Sequence, residues 1–388
     1  MAVYECVHNV LIAGQKYKII NVSIQKTVNS FTNNCVITLS KRLRLKNQDI
    51  FSDIESFVIK KEDVVSIQLG YIQGTNVMLN DTQFNGFVSQ INILSHTVEI
   101  ICEDYMFFLK KLKFSLSAQS ISLNDLGNIL ISKTNSILPS NVSPIKLITN
   151  GIGLSITNLV LKDVNGVEVL QHLKQFYTLD SFFLNDILNI GINYGTINQN
   201  QKRFTFSTFP SSLIKTVSNQ TFLKILNMDG LKYQKADDIK LQITAKVFTS
   251  NSDYYEEKFG DTTGEQRTFI FSGNPDKMQL QNLVNNQIQR YKYSGFTRGS
   301  SFVTFGLPTI QPLDIVSFDG IGMIRWYDFN AKNTNKITTY AKASYLVESV
   351  KIDFGTNGFK QTIGISLKVS VDSDNNSIAA LLGNTTPI

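Results

Sequence analysis

Gly306-Leu307-Pro308-Thr309-Ile310-Gln311-Pro312-Leu313-Asp314-Ile315-Val316, with the later stretch Tyr345-Leu346-Val347-Glu348-Ser349-Val350-Lys351-Ile352-Asp353-Phe354, decides the fold class. Pro308 and Pro312 fix φ on either side of a short extended piece, and the residues beyond alternate apolar and polar like a strand with one buried face. A second turn from Gly355 to Phe359 hands over to Gln361-Thr362-Ile363-Gly364-Ile365-Ser366-Leu367-Lys368-Val369. The pattern predicts a turn that launches antiparallel β-structure, with no catalytic residue type at its turns. It is the grammar of a structural barrel.

Just upstream a helix is signalled over 275–293. Asn274 stands as cap and Pro275 at the first position; Leu280, Leu283, Val284, Ile288 and Tyr291 share a face, Arg290 and Lys292 sit near the end, and Gly295 follows. Further back, Lys202 to Thr208 and Asp238 to Phe248 read as strands, the second alternating strictly at Ile239, Leu241, Ile243, Ala245 and Val247. Ser250 to Gln266, rich in Asp, Glu, Asn, Gly and Tyr, reads as an exposed loop.

The front of the chain predicts strands at Lys18 to Ile24, Asn34 to Leu39, Asp63 to Tyr71, Gln83 to Ile93 and Thr97 to Cys102, punctuated by turn residues. The clearest hairpin is Phe84 to Ile93 with Val98 to Asp104, closed by Tyr105 to Leu109; Gly86 marks a bulge or barrel corner. After Lys113 the character changes. Ser122-Leu123-Asn124-Asp125 is a helix start, with Leu126, Ile129, Leu130 and Ile137 at helical spacing until Pro139. A second helix spans about Gly166 to Tyr177, and Ser181 to Leu184 with Leu188 to Ile192 form a strand pair across Asn185-Asp186. The expected class is mainly β with an α+β middle part. A first β-barrel occupies 1–115, a small α+β domain 116–205 and a second β-barrel 206–370, with a polar tail at 371–388 that includes the apolar Ile378 to Leu382.

At 388 residues, several cores are affordable. Hydrophobic residues are 42% and charged residues 18%, the balance filled by Asn, Ser, Thr and Gln, so the surface is polar but weakly charged. A net charge of +6 with both signs interspersed gives no nucleic-acid footprint. No stretch approaches the ~18 apolar residues of a membrane span, and the N-terminus has no signal-peptide pattern. Cys6, Cys35 and Cys102 lie in separate strand-like runs, without CxxC spacing, and are expected as small buried hydrophobes in a chain assembled in a reducing cytoplasm.

Chemistry-bearing patterns are weak. His8, His96 and His172 are scattered and lack HExxH or Cys–His company. Gly151 to Ser155 lacks the lysine of a phosphate loop. Asp237-Asp238 and Glu256-Glu257, read as strand neighbours, point to opposite faces and cannot converge as a glycosidase pair. Phe107-Phe108 and Tyr254-Tyr255 read as core and interface material. No catalytic, cofactor or metal residue is expected.

The order of parts nevertheless resembles a family. The helix before Phe302 to Phe305, the Gly306-x-Pro308-x-Ile310-x-Pro312-x-Asp314-x-Val316 turn, Tyr345-x-Val347-x-x-Val350-x-x-x-Phe354 and Gly358-Phe359-x-x-x-Ile363 resemble the C-terminal half of bacteriophage tail hub proteins of the late control protein D type. That family is related to the N-terminal region of the type VI secretion spike protein VgrG. Phe84-x-Gly86-x-Val88 with Val98-x-Ile100-x-Cys102-x-Asp104-x-x-x-x-Leu109 is similar to its first barrel, and 163–195 to its middle domain. The family commonly has Gly where Leu313 stands, which argues against a φ > 0 turn at that position. Asp319 to Ala343, with the lone Trp326, lengthens the connection between the paired strands.

The resemblance implies a homotrimer whose two barrels per chain make a six-barrel ring between the six-fold tail tube and a three-fold spike or fibre. It also implies tube or distal tail partners, non-specific passage of DNA through the lumen, and residence in the virion tail or baseplate after assembly in the host cytoplasm. The structural and interface residues implied are Gly86, Asp104, Pro308, Pro312, Asp314, Gly358 and Phe359. The rival readings are a tail-associated cell-wall lysin, for which a chain ending at Ile388 is expected to leave no room, and a carbohydrate-binding adhesin.

Overall fold

The computed structural model describes residues 5–40, 44–45, 48–49, 59–79, 81–150, 155–177, 179–191, 202–207, 214–217, 220–234, 236–248, 254–271, 277–293, 295–318 and 344–369. The insertion 319–343 with Trp326, the tail from 370 onward, Gly151 to Leu154, and the Asn274–Pro275 cap lie outside these residues.

The fold is mainly β. The first third supplies β1 (Glu5–Ile12), β2 (Asn21–Thr27), β3 (Asn34–Ser40), β4 (Val64–Gln73), β5 (Thr82–Ile93) and β6 (Thr97–Glu103). Strict alternation in β2, β3 and β6 sends Val22 and Ile24, Cys35, Ile37 and Leu39, and Val98, Ile100 and Cys102 to one buried face. Strand β1 was signalled only by the strand-like run around Cys6. Its first half is polar and incompletely buried, so it carries little alternation, and pairing with β4 rather than pattern fixes it. Tyr105 to Leu109 does not simply close the hairpin as expected. Met106–Lys111 forms a short helix, α1, because the Asp104 carboxylate accepts from the Met106 amide and its carbonyl from Phe107. Cys6, also against expectation, is exposed.

The middle third contains α2 (Leu123–Asn135), started by Ser122, whose hydroxyl accepts from the Asp125 amide at 3.0 Å. Helix α3 (Gly166–Tyr177) begins with a reciprocal box, Glu168 N to Asn165 Oδ1 at 2.9 Å and Asn165 N to Glu168 Oε2 at 2.7 Å. A two-stranded ribbon not foreseen in the sequence joins β7 (Phe114–Ser122) to β9 (Ser155–Val164). The remaining strands are β8 (Lys146–Asn150), β10 (Asp180–Leu184) and β11 (Ile187–Gly191), the last two joined by a turn with Asn185 at φ 56°. Tyr105 to Leu109 and Phe87 share one core with α2, α3 and these strands.

The last part contributes β12 (Arg203–Ser207), β13 (Gln220–Asn227), β14 (Leu241–Phe248), β15 (Tyr254–Gly260), β16 (Glu265–Phe271), α4 (Lys277–Tyr291), β17 (Ser301–Phe305), β18 (Ile315–Phe318), β19 (Ser344–Gly355) and β20 (Gly358–Val369). The stretch read as an exposed loop is thus mostly two strands flanking β14. Its charges mask the pattern: Glu256 pairs with Lys246 at 2.6 Å and Glu257 with Lys277 at 3.3 Å, while Ile243, Ala245 and Val247 on the central strand bury against Leu280 and Val284 of α4. Asp237 and Asp238 lie in a short 3-10 turn, not on a strand.

Strands β19, β18, β12, β13, β17 and β20 close on themselves as a six-stranded barrel. The first-third strands follow the order β1-β4-β5-β6-β3-β2 and run into that barrel through β2, which pairs with β19. The two units therefore share one sheet. Strand β19 divides its edge: Tyr345 and Leu346 pair with β18, and Ser349 to Phe354 pair with β2. A single apolar core holds Val10, Ile24, Ile37 and Ile67 of the first unit together with Val350, Phe354, Phe359 and Ile363 of the β19–β20 hairpin.

Candidate functional site

Pro308, Pro312, Asp314 and Phe359, singled out in the sequence, meet at the junction between these units. Gly306 lies against the ring of Phe359, so closely that a Cβ would stand 2.2 Å from it. Its amide donates to the Phe359 carbonyl at 3.1 Å and to the Tyr71 hydroxyl at 3.2 Å, and that hydroxyl donates to the same carbonyl at 2.6 Å. Burial of the Tyr71 phenol pushes its pKa well up, so it remains a donor. The turn is then read by Gln361, which is fully buried. Its amide nitrogen donates to the carbonyls of Phe305 at 3.0 Å and Pro308 at 2.8 Å, and its oxygen accepts from Ile310 N at 3.1 Å. The Leu307–Pro308 peptide is cis.

Thr309 reaches across to the first unit, where its hydroxyl accepts from Gln83 Nε2 at 3.0 Å. Gln83 also bonds both backbone groups of Leu69, at 2.7 and 3.1 Å. Pro312 is buried, and Leu313 adopts φ 75°. The expectation that Leu313 argues against a positive-φ turn is corrected here. The Leu313 amide donates to the Val347 carbonyl at 2.8 Å, Val347 N returns to Asp314 O at 2.8 Å, and the side chain is buried with Val28, Phe182, Ile315 and Leu346. These contacts offset a left-handed conformation that costs a leucine about 1–2 kcal/mol.

Asp314 accepts from Gln311 N at 2.8 Å and Lys202 N at 3.1 Å, and the Gln311 side chain accepts from Lys26 Nζ at 2.8 Å. Lys26 is the inward-phase residue after Val22 and Ile24 on β2. Asp104 accepts from Asn33 N and Met106 N, both at 3.0 Å, and Asn33 Nδ2 donates to the Phe183 carbonyl of the middle unit at 2.9 Å. Pro308, Pro312, Asp314 and Phe359 thus lie in one junction, to which Asp104 is linked through Asn33, whose side-chain oxygen accepts from the amide of Thr27 beside Lys26. Gly358 sits at the hairpin tip with φ 90° and open space around it, so the backbone alone demands glycine there. Gly86 stands apart on β5: a Cβ would meet the Glu103 carbonyl at 2.3 Å, while the β5–β6 register shift falls opposite Ile101 and Cys102.

Lys26, Tyr71, Gln83 and Gln361 escaped the sequence reading. Lys26 and Gln361 each occupy a buried phase between apolar neighbours, a signal that could have found them; Gln83 lies beside a register shift between Ile67 and Gln68 that breaks the phase. The chemistry of the junction is hydrogen bonding between backbone and buried amides, suited to holding units in register. Among the described residues no group of three or more His, Cys, Asp or Glu is placed to hold a metal ion, and no helix is long and apolar enough to cross a membrane. His8 packs edge-on against Phe354 at 5.7 Å.

No protein-family model and no curated protein matches the chain at the level of sequence. Solved structures do match its fold. The 43 kDa tail protein of prophage MuSo2 from Shewanella oneidensis is similar with a TM-score of 0.55 at 11% identity, over 92% of this chain and 97% of that one. A tail protein from Neisseria meningitidis MC58 gives 0.55 at 11% identity, over 94% and 96%. A type VI secretion system component of E. coli, described as similar in structure to T4 bacteriophage tail proteins, gives 0.51 at 8% identity, over 92% of this chain and 76% of that one. The chain shares its fold with these phage tail proteins and with that type VI secretion component.

Proposed function

We propose that this chain is a structural hub of a phage tail or a phage-derived injection machine. In this reading three copies form a ring of six barrel units that adapts a six-fold tube to a three-fold spike or fibre and lines the conduit through which DNA passes. The chain divides functionally into the units 1–115, 116–205 and 206–370, resides in the virion tail after assembly in the host cytoplasm, and carries no enzymatic activity. The carrying observation is the pair of β-units, each built on six strands, joined through the shared β19–β20 hairpin. Three chains with two such units each supply six positions at one radius while keeping three-fold symmetry at the other end. A ring also covers strand edges that would otherwise invite uncontrolled pairing.

Light scattering on the purified chain, alone and mixed with its tail-tube and spike proteins, tests the reading. A mass of three chains in the mixture is expected; a chain that stays monomeric in the presence of both partners overturns it. Clearing of peptidoglycan in a zymogram, abolished by an acidic substitution, would instead assign a lysin, and selective retention on a glycan array an adhesin.

A further inference from the structure

The junction encloses more charge than a structural joint requires. Lys26, Asp104 and Asp314 are 6%, 3% and 6% exposed, and they sit on three different segments. Asp104 ties the end of β6 to the β2–β3 turn and to α1, Asn33 carries the link to β10, and Asp314 ties the 306–314 turn to the start of β12. Lys26 reaches that turn through Gln311. Two carboxylates and one ammonium leave a net negative charge among buried groups, and one proton cancels it.

We propose that Lys26, Asp104 and Asp314 form a proton-sensitive joint between the first β-unit, the middle unit and the 306–314 turn, tightened by proton uptake on the aspartates and loosened by its release. The proposal rests on the fold and not on the hub reading. Burial is the leading influence on each group: it raises Asp104 to about 7 and Asp314 to about 6, and lowers Lys26 to about 8. The surrounding charges are Glu103 and Lys110 beside Asp104, Lys202 beside Asp314, and the buried Cys35 thiol beside Lys26; the Arg298–Glu348 pair at 2.5 Å flanks Val28 and compensates itself. Both aspartates have folded values above their unfolded ones, so the protonated form favours the fold. Their contribution is full below about pH 4 and is lost as pH rises through 6 and 7. Lys26, with a lowered value, is penalised throughout that window and regains stability only above pH 8.

Urea unfolding of the full chain at pH 5.5 and 7.5 tests this with three proteins: the natural chain, the double variant Asp104→Asn with Asp314→Asn, and Lys26→Met. Relative to the double variant, the natural chain should lose on the order of a hundredfold in its folding constant between the two pH values, most of it through Asp104. Lys26→Met, which leaves the carboxylates without their cation, should lose more. Equal factors for all three overturn the proposal. If the double variant fails to fold, hydrogen exchange of the natural chain, corrected for intrinsic rates, decides. Protection of the Asn33, Met106, Lys202 and Gln311 amides should fall at pH 7.5 while that of Ile352 and Ile363 holds, and a uniform change overturns it.

Discussion

At the scale of the residue, Leu313 shows how a local preference is overruled. Its backbone is strained and its side chain is buried. Substitution to alanine removes the burial and keeps the strain, whereas glycine removes both, so Leu313→Gly should be more stable than Leu313→Ala by about 1 kcal/mol. Chemical denaturation of the pair measures the difference, and alanine proving the more stable would refute a strained turn. Gly306 poses the opposite case, since space and not φ limits it. Gly306→Ala drives a methyl into the Phe359 ring and should cost about 1–3 kcal/mol, and Phe359→Leu in the same chain should cost less than the sum of the separate changes. Additive losses in that double-mutant cycle would remove the contact from the account. Both positions were visible in the sequence, Gly306 and Leu313 within the deciding segment, but what they touch includes residues far away in the chain, Tyr71 and Phe359 for Gly306 and Val28, Phe182 and Val347 for Leu313. No local pattern encodes that distance.

At the scale of the element, alternation and capping were legible wherever one side of the strand or helix faces water. Strands β3, β4, β5 and β6 and helices α2 and α3 fall where the periodicity places them, whereas β2 begins three residues later than expected. The Ser122 hydroxyl caps α2, and Ser122→Ala should lower stability by about 1 kcal/mol, read by thermal melting followed in the far ultraviolet; no change would deny the cap its role. Elements were missed where charge disguised the phase. Tyr254–Gly260 looks solvated because Glu256 and Glu257 are paired with lysines on neighbouring elements, and Glu265–Phe271 because it opens on the Glu265–Arg267 pair; each sits at the edge of a three-stranded sheet. The β7–β9 ribbon was missed because its partners lie far apart in sequence and Val160 points to solvent. The junction itself was half legible: Pro308, Pro312, Asp314 and Phe359 announce a turn, whereas Gln83 offers no cue.

At the scale of the whole molecule, the shared hairpin makes the two β-units interdependent. Strand β2 pairs with β19 through Val22 to Thr27, and one core crosses both units. A fragment of residues 1–115 would expose that edge and the apolar face covered by Phe354 and Phe359, so it should not unfold cooperatively. A sharp, near-native melt of the fragment would show that the hairpin is dispensable. The paired units are also what the hub reading depends on, because a three-copy ring reaches six positions only if each chain presents two of them. A cryo-EM map of the assembled particle tests this most directly. The account predicts three copies of the chain in a ring between tube and spike, with six β-units around the channel; six copies, a single copy, or a position away from the tube axis would contradict it.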